Sequence, residues 1–337
     1  MLNSSSKVRQ TPRNSTGFTL IELLVVVAVI ALLIGILLPA LGQARRSAQK
    51  AQGANIQRQL VIGMITYSNG NDGKVPGANT SAGKYDNSTT PDSLSRDAEA
   101  PVTQWDWMSP ALDADDTPLS WAERVHYLFD NFKDPSMNEI LQSSQVTSTS
   151  GDLSTLIDER GGMPISSYLM PSSWQVVGQG LAGGPDNLFG QVNQEVGIFQ
   201  IPDTYRPRLS AFGGGARKVA LGDGVPGVNS NGALGLDLTI HDDSTMNLAN
   251  GFVTLPPCVP PVGVGAAYDP TADLNSLSYR QPGNTMNVTK WDGSGTDLTV
   301  DESMDPTLWY PPNTIYVGGG QPQVEEDFDY DPGDPVG

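Results

Sequence analysis

Apolar residues are spread very unevenly along the chain. One unbroken run, FTLIELLVVVAVIALLIGILLPAL from Phe18 to Leu41, carries a single acid, Glu22. As an α-helix it would extend ~36 Å at ~1.5 Å per residue, more than the ~30 Å of a bilayer's hydrocarbon core. A secretory signal has the same basic start, but its apolar region usually ends within ~15 residues at a small-x-small site. Past Leu41 the pattern becomes periodic, with Ala44, Ala48, Ala51, Ile56, Leu60, Met64 and Tyr67 recurring at helical spacing. This predicts an amphipathic continuation over residues 42–69, stopped by Asn69-Gly70-Asn71-Asp72-Gly73.

From Lys74 to Leu119 the chain is polar and turn-rich, with Trp105 and Trp107 as expected anchors. A second helix is predicted from Pro118, with Thr117 as N-cap and Trp121, Val125, Leu128 and Phe132 on one face. His126 falls off that stripe and is expected to be partly exposed. After about residue 160 short β-prone runs dominate, among them ISSYLM, SWQVV, VGIFQI, ARKVALGDG, TMNVTKW, TDLTV and TIYVGG. One long helix followed mainly by strands predicts an α+β fold, with an antiparallel sheet packed on the helix. The expected divisions are a leader (1–17), a membrane helix (18–41), its amphipathic extension (42–69), a head (70–318) and an acidic disordered tail (319–337).

Composition narrows the chemistry. The formal net charge is −18, from 37 acids and 19 bases, which argues against nucleic acid as a partner because phosphate-backbone affinity rests on Lys and Arg. One cysteine, Cys258, excludes an internal disulfide, and two histidines leave little for metal or general-base chemistry. Gly178, Gly180 and Gly183 form a G-x-G-x-x-G, but Gly184-Pro185-Asp186-Asn187 follows instead of a helix, so no phosphate site is expected. His241-Asp242-Asp243 reads as a solvated turn. No catalytic constellation emerges, and the chain is expected not to be an enzyme.

Charge does not orient the span, because Lys7, Arg9 and Arg13 before it are matched by Arg45, Arg46 and Lys50 after it. Glu22 is more informative, since a carboxylate in an apolar run is costly and is kept for a reason. Gly17-Phe18-Thr19-Leu20-Ile21-Glu22 ahead of a long apolar helix resembles the signal shared by type IV pilins and type II secretion pseudopilins. The resemblance implies cleavage after Gly17 by a prepilin peptidase and methylation of the new amino terminus at Phe18. It also implies pairing of Glu22 with the amino terminus of a neighbouring subunit, and it matches Pro39 to a helix-kinking proline. In physical terms a glycine lets a protease approach the backbone, and a buried carboxylate and ammonium are each costly alone but tolerable together.

The body resembles planctomycete-type pseudopilins at Ala216–Gly224, Ser278–Val288, Trp291–Gly293 and Asp305–Pro311, with Gln281 standing where that family has histidine. Major pseudopilins hold calcium in a C-terminal loop, and Asp292, Asp297 and Asp301 lie in the corresponding region. Calcium is therefore the one cofactor the resemblance raises. It further implies a structural pseudopilin in the inner membrane, single-pass with an exported head, whose partners are other pseudopilin subunits and an inner-membrane assembly platform. A type IV pilus subunit, minor or adhesive, shares the same signal. The six tryptophans and the acidic head also leave open a membrane-anchored carbohydrate-binding or hydrolytic domain.

Overall fold

A computed structural model of the chain describes residues 19–82, 101–103, 105–112, 120–148, 151–165, 167–181, 195–196, 198–224, 236–238, 252–259, 278–319 and 322–337. Its contacts divide the chain into two units, Met1–Arg45 and Arg46–Gly337.

In the first unit the described residues form the beginning of helix α1 (Leu20–Gly70). Its apolar run is long enough to cross a membrane, with a mean hydropathy of 3.2 and none of that stretch buried. The large side chains from Leu20 to Leu41 are exposed, up to 86% at Leu20, so this surface needs lipid or other helices to cover it. The helix passes through Pro39 without interruption, although proline leaves the carbonyl of Gly35 without its usual donor.

In the second unit α1 turns one face inward through Gly53, Gln57, Leu60, Val61, Met64 and Ser68. Leu60 and Met64 lie where the periodicity put them, but Ala44, Ala48 and Ala51 are exposed and two polar residues sit on the buried face. The helix ends as expected. Asp72 and Gly73 take positive φ, and the Gly73 and Asn71 amides donate to the Ser68 carbonyl at 2.8 and 3.0 Å.

Among the described residues the remaining helices are α2 (Met108–Leu112), α3 (Trp121–Asn131), α4 (Gly151–Arg160), α5 (Val300–Ser303) and α6 (Pro322–Glu326). The expected N-cap Thr117 lies outside the described residues, and α3 is instead capped by Ser120, whose side chain accepts from the Glu123 amide at 3.2 Å. His126 is 6% exposed, not partly open. Helix α4 was not expected because it buries only Leu153 and Ile157, too short an apolar stripe to show against its polar residues.

The strands are β1 (Ile140–Leu141), β2 (Val146–Ser148), β3 (Met163–Pro164), β4 (Tyr168–Pro171), β5 (Glu195–Val196), β6 (Phe199–Gln200), β7 (Val219–Asp223), β8 (Leu236–Leu238), β9 (Val253–Thr254), β10 (Met286–Lys290), β11 (Gly295–Leu298), β12 (Thr314–Tyr316) and β13 (Pro335–Val336). The main sheet has the order β11-β10-β7-β4-β9, antiparallel except that β9 runs parallel to β4. A second sheet, β13-β12-β6-β5, is antiparallel throughout. A long helix followed by an α/β head built on antiparallel sheets is the α+β architecture expected.

Two further expectations need correction. SWQVV forms no strand: Ser172–Trp174 make a 3-10 turn that drives Trp174 into the core, and Gln175 continues it as a turn. The C-terminal stretch is not disordered: it forms α6 and β13, with Val324 and Val336 fully buried. Its acids point outward while a few apolar residues anchor it, a pattern that charge density masks in the sequence.

All six tryptophans are at most 5% exposed. The indole N–H groups of Trp107, Trp121, Trp174 and Trp309 donate to backbone carbonyls at 2.6–2.8 Å, and Trp174, Phe212 and Trp291 form one aromatic cluster. They are core, so the carbohydrate-platform idea loses the residues that suggested it.

Candidate assembly site

The start of α1 is fixed by local chemistry. Thr19 Oγ1 accepts from the Glu22 amide at 3.2 Å, and Glu22 Oε2 accepts from the Thr19 amide and hydroxyl at 2.9 and 2.8 Å. This is a capping box, which satisfies two backbone donors that a helix start leaves open. A carboxylate in the first turn also faces the positive end of the helix dipole. Glu22 therefore has two roles available: it caps its own helix, and it still has lone pairs to offer a cation from outside. Gly17 and Phe18 lie outside the described residues, immediately before this box.

Further along, Arg46 and Lys50 lead into the stem. Lys50 pairs with Asp297 of β11, and the Gln49 side-chain amide donates to the Pro135 carbonyl at 2.8 Å. Deeper in, a buried charge cluster fastens the stem to the sheet. The Arg280 guanidinium, 7% exposed, reaches Asp134 Oδ2 at 3.1 Å and Asp223 Oδ1 at 2.9 Å, and it also donates to the Ser167 carbonyl. Both aspartate side chains are fully buried. From α1, the Gln57 amide donates to Asp223 Oδ1 at 2.8 Å, and its carbonyl accepts from Thr289. Gln281 donates to Asp223 Oδ2 at 2.8 Å and Asp134 Oδ2 at 3.3 Å, and the Asn287 amide donates to Asp223.

The notch that admits Asp134 is Gly53, where a Cβ would stand 2.9 Å from Asp134 Oδ2 and 3.3 Å from the Tyr168 hydroxyl. Sequence reasoning missed this cluster. The polar Gln57 in the buried stripe and the Tyr279-Arg280-Gln281 segment were its only signals, and neither reveals the other's position.

Two carboxylates share one guanidinium here, so the cluster carries net negative charge out of water. Burial pushes the Asp223 carboxyl up to about 6, against the pull of Arg280, and Asp134 adds to the rise. A carboxyl whose pKa is higher folded than unfolded adds stability below its unfolded pKa, near ~4, and loses that contribution as pH rises through about 6. The urea midpoint is expected to show this loss between pH 4 and 6. Asp223→Asn, though less stable throughout, should lack that part of the slope; an unchanged slope would refute the assignment.

The three aspartates considered for calcium are not brought together. Asp292 accepts from the Ser294 amide and hydroxyl, which holds its carboxyl below the usual range. Asp297 is paired with Lys50, and Asp301 is exposed in the first turn of α5. Among the described residues no group of three or more His, Cys, Asp or Glu side chains is placed to hold a metal. Replacing Asp292, Asp297 and Asp301 jointly by Asn is therefore expected to leave the response of the melting temperature to calcium and chelator as in the parent; a calcium-dependent rise that these substitutions remove would contradict this geometry.

The glycine motif is structural where it is described. A Cβ on Gly178 would stand 2.1 Å from the Pro202 carbonyl oxygen, so glycine is needed there for chain packing, and Gly183 lies outside the described residues. His126 Nδ1 lies 3.2 Å from an Arg160 guanidinium nitrogen, and burial, then Arg160, pushes its imidazole down. The His241 segment lies outside the described residues.

No curated protein and no solved structure matches this chain. Residues 12–38 do match a family model, the prokaryotic N-terminal methylation motif. The capping box, Glu22 and the apolar helix thus belong to the prepilin-type signal of type IV pilins and pseudopilins, which this chain carries.

Proposed function

We propose that the chain is a structural, non-catalytic pseudopilin subunit of a type II secretion system, polymerised through α1. The observation that carries the reading is the methylation motif running directly into an apolar helix whose side chains are exposed from Leu20 onward. Such a surface is stable in lipid and can be handed to neighbouring helices in a filament, because both environments are apolar. Prepilin peptidase cuts after Gly17, and Phe18 becomes the methylated amino terminus. The helix then crosses the inner membrane once, with the head on the outer side, and an assembly platform feeds subunits into the filament. Secretion is favoured over a pilus by the resemblance of the body segments, including Ala216–Gly224 and Ser278–Val288, to pseudopilins.

Mass spectrometry of the mature chain tests the processing step. An N-methylated Phe18 is expected; an intact Met1, or a cut beyond Leu41, would overturn the proposal. Deletion of the gene for this chain should abolish export of secreted proteins if the filament serves type II secretion, and leave export intact while surface filaments are lost if the filament is a pilus.

A further inference from the structure

From Leu23 to Asn71 the chain contains no acid, in a protein with 37 of them, and the first bases in that stretch are Arg45 and Arg46. Both are exposed on α1, and among the described residues neither has a carboxylate partner, whereas Lys50 is engaged by Asp297. Arg45 follows Leu41, the last residue of the apolar run, by about one helical turn, or ~6 Å. That is the depth of lipid phosphates for a helix whose apolar run fills the hydrocarbon core.

We propose that Arg45 and Arg46, which point about 100° apart on α1, each bind the phosphate of an anionic phospholipid headgroup at the membrane boundary that follows Leu41. The proposal rests on α1 spanning the bilayer. Guanidinium suits this ligand: it is weakly hydrated, it meets phosphate oxygens through paired N–H donors, and its stem can lie along apolar surface while its tip reaches the phosphates. A free phosphate ion lacks the acyl chains that would lie against Leu37, Leu38 and Leu41, all more than 60% exposed, so the lipid is favoured over the ion.

The site also acts as a ruler. Glu22 precedes Arg45 by ~34 Å along an α-helix, slightly more than the ~30 Å hydrocarbon core. Holding Arg45 at one layer of phosphates therefore sets Glu22 at the opposite boundary, where a carboxylate stays hydrated. After the leader's three bases are removed, Arg45 and Arg46 are the cations that set this depth, and a subunit leaving for the filament must give up its lipid.

The test uses the full chain in vesicles of phosphatidylcholine and phosphatidylglycerol, followed by native mass spectrometry of the lipids it retains. Phosphatidylglycerol should be retained about 30-fold over phosphatidylcholine, since each base near an anionic surface adds roughly fivefold. Arg45→Gln with Arg46→Gln should bring the ratio close to one, and Lys at both positions should restore much of it. Inorganic phosphate added in excess should not displace the lipid. Insertion without lipid preference, or a preference unchanged by the Gln pair, would overturn the proposal while leaving the span intact. Failure of the chain to enter vesicles at all would overturn the span itself.

Discussion

Glu22→Ala should abolish filament assembly while the chain still inserts and folds its head. If the carboxylate meets a neighbour's amino terminus away from water, removing it leaves a buried charge without a partner, at a cost of about 3–5 kcal/mol. At ~1.4 kcal/mol per factor of ten, the assembled fraction should fall by roughly two to three orders of magnitude. The capping box complicates this variant, because Ala also removes the side chain that caps α1 through Thr19, worth about 1 kcal/mol. Glu22→Gln separates the two roles, since glutamine can close the same box without charge. Filaments counted by sedimentation or electron microscopy should be lost in both variants. Normal assembly of the Gln variant would reduce Glu22 to a cap and refute the intersubunit pairing.

Arg280→Met should produce the largest loss of stability in the head. It takes the guanidinium away from two fully buried aspartates, Asp134 and Asp223, and such half-broken pairs cost about 3–5 kcal/mol. The penalty should be greatest at neutral pH. Arg280 opposes the upward push that burial gives the Asp223 carboxyl, so without the guanidinium Asp223 holds its proton to higher pH than in the parent, and acidification toward pH 4 neutralises it and recovers part of the loss. Combining the substitution with Asp134→Asn should also recover stability, because one buried charge is then gone. Urea unfolding of the full chain in detergent reads both effects, and a loss under ~1 kcal/mol would show that the cluster does not hold the stem.

How much of this was legible in the sequence depends on the range of the interactions involved. The start of α1 could be read from Thr19 and Glu22, three residues apart, and its end from Asp72 and Gly73, because caps depend on neighbours in the chain. Most strands after residue 160 lie where alternation and turns placed them. The face that α1 buries was legible only in part. Leu60 and Met64 lie on it, but Gln57 became a buried residue because Asp223, 166 positions away, accepts its hydrogen bond. Gly53 was unremarkable until Asp134 and Tyr168 filled the space that its missing Cβ leaves. The acidic tail misled for a similar reason, since the few residues that order it meet partners on β12.

The sequence by itself determined the membrane-length helix, the processing signal, the carboxylate in its first turn and the bases that follow it. Each follows from length, hydropathy or contacts within one helical turn. Only the tertiary structure decided which polar residues of the stem face inward, that the six tryptophans are core, and that Asp134, Asp223 and Arg280 form one buried cluster. Those outcomes depend on which distant segments the fold brings within hydrogen-bond range, and no local pattern encodes a distance between residues 57, 134, 223 and 280.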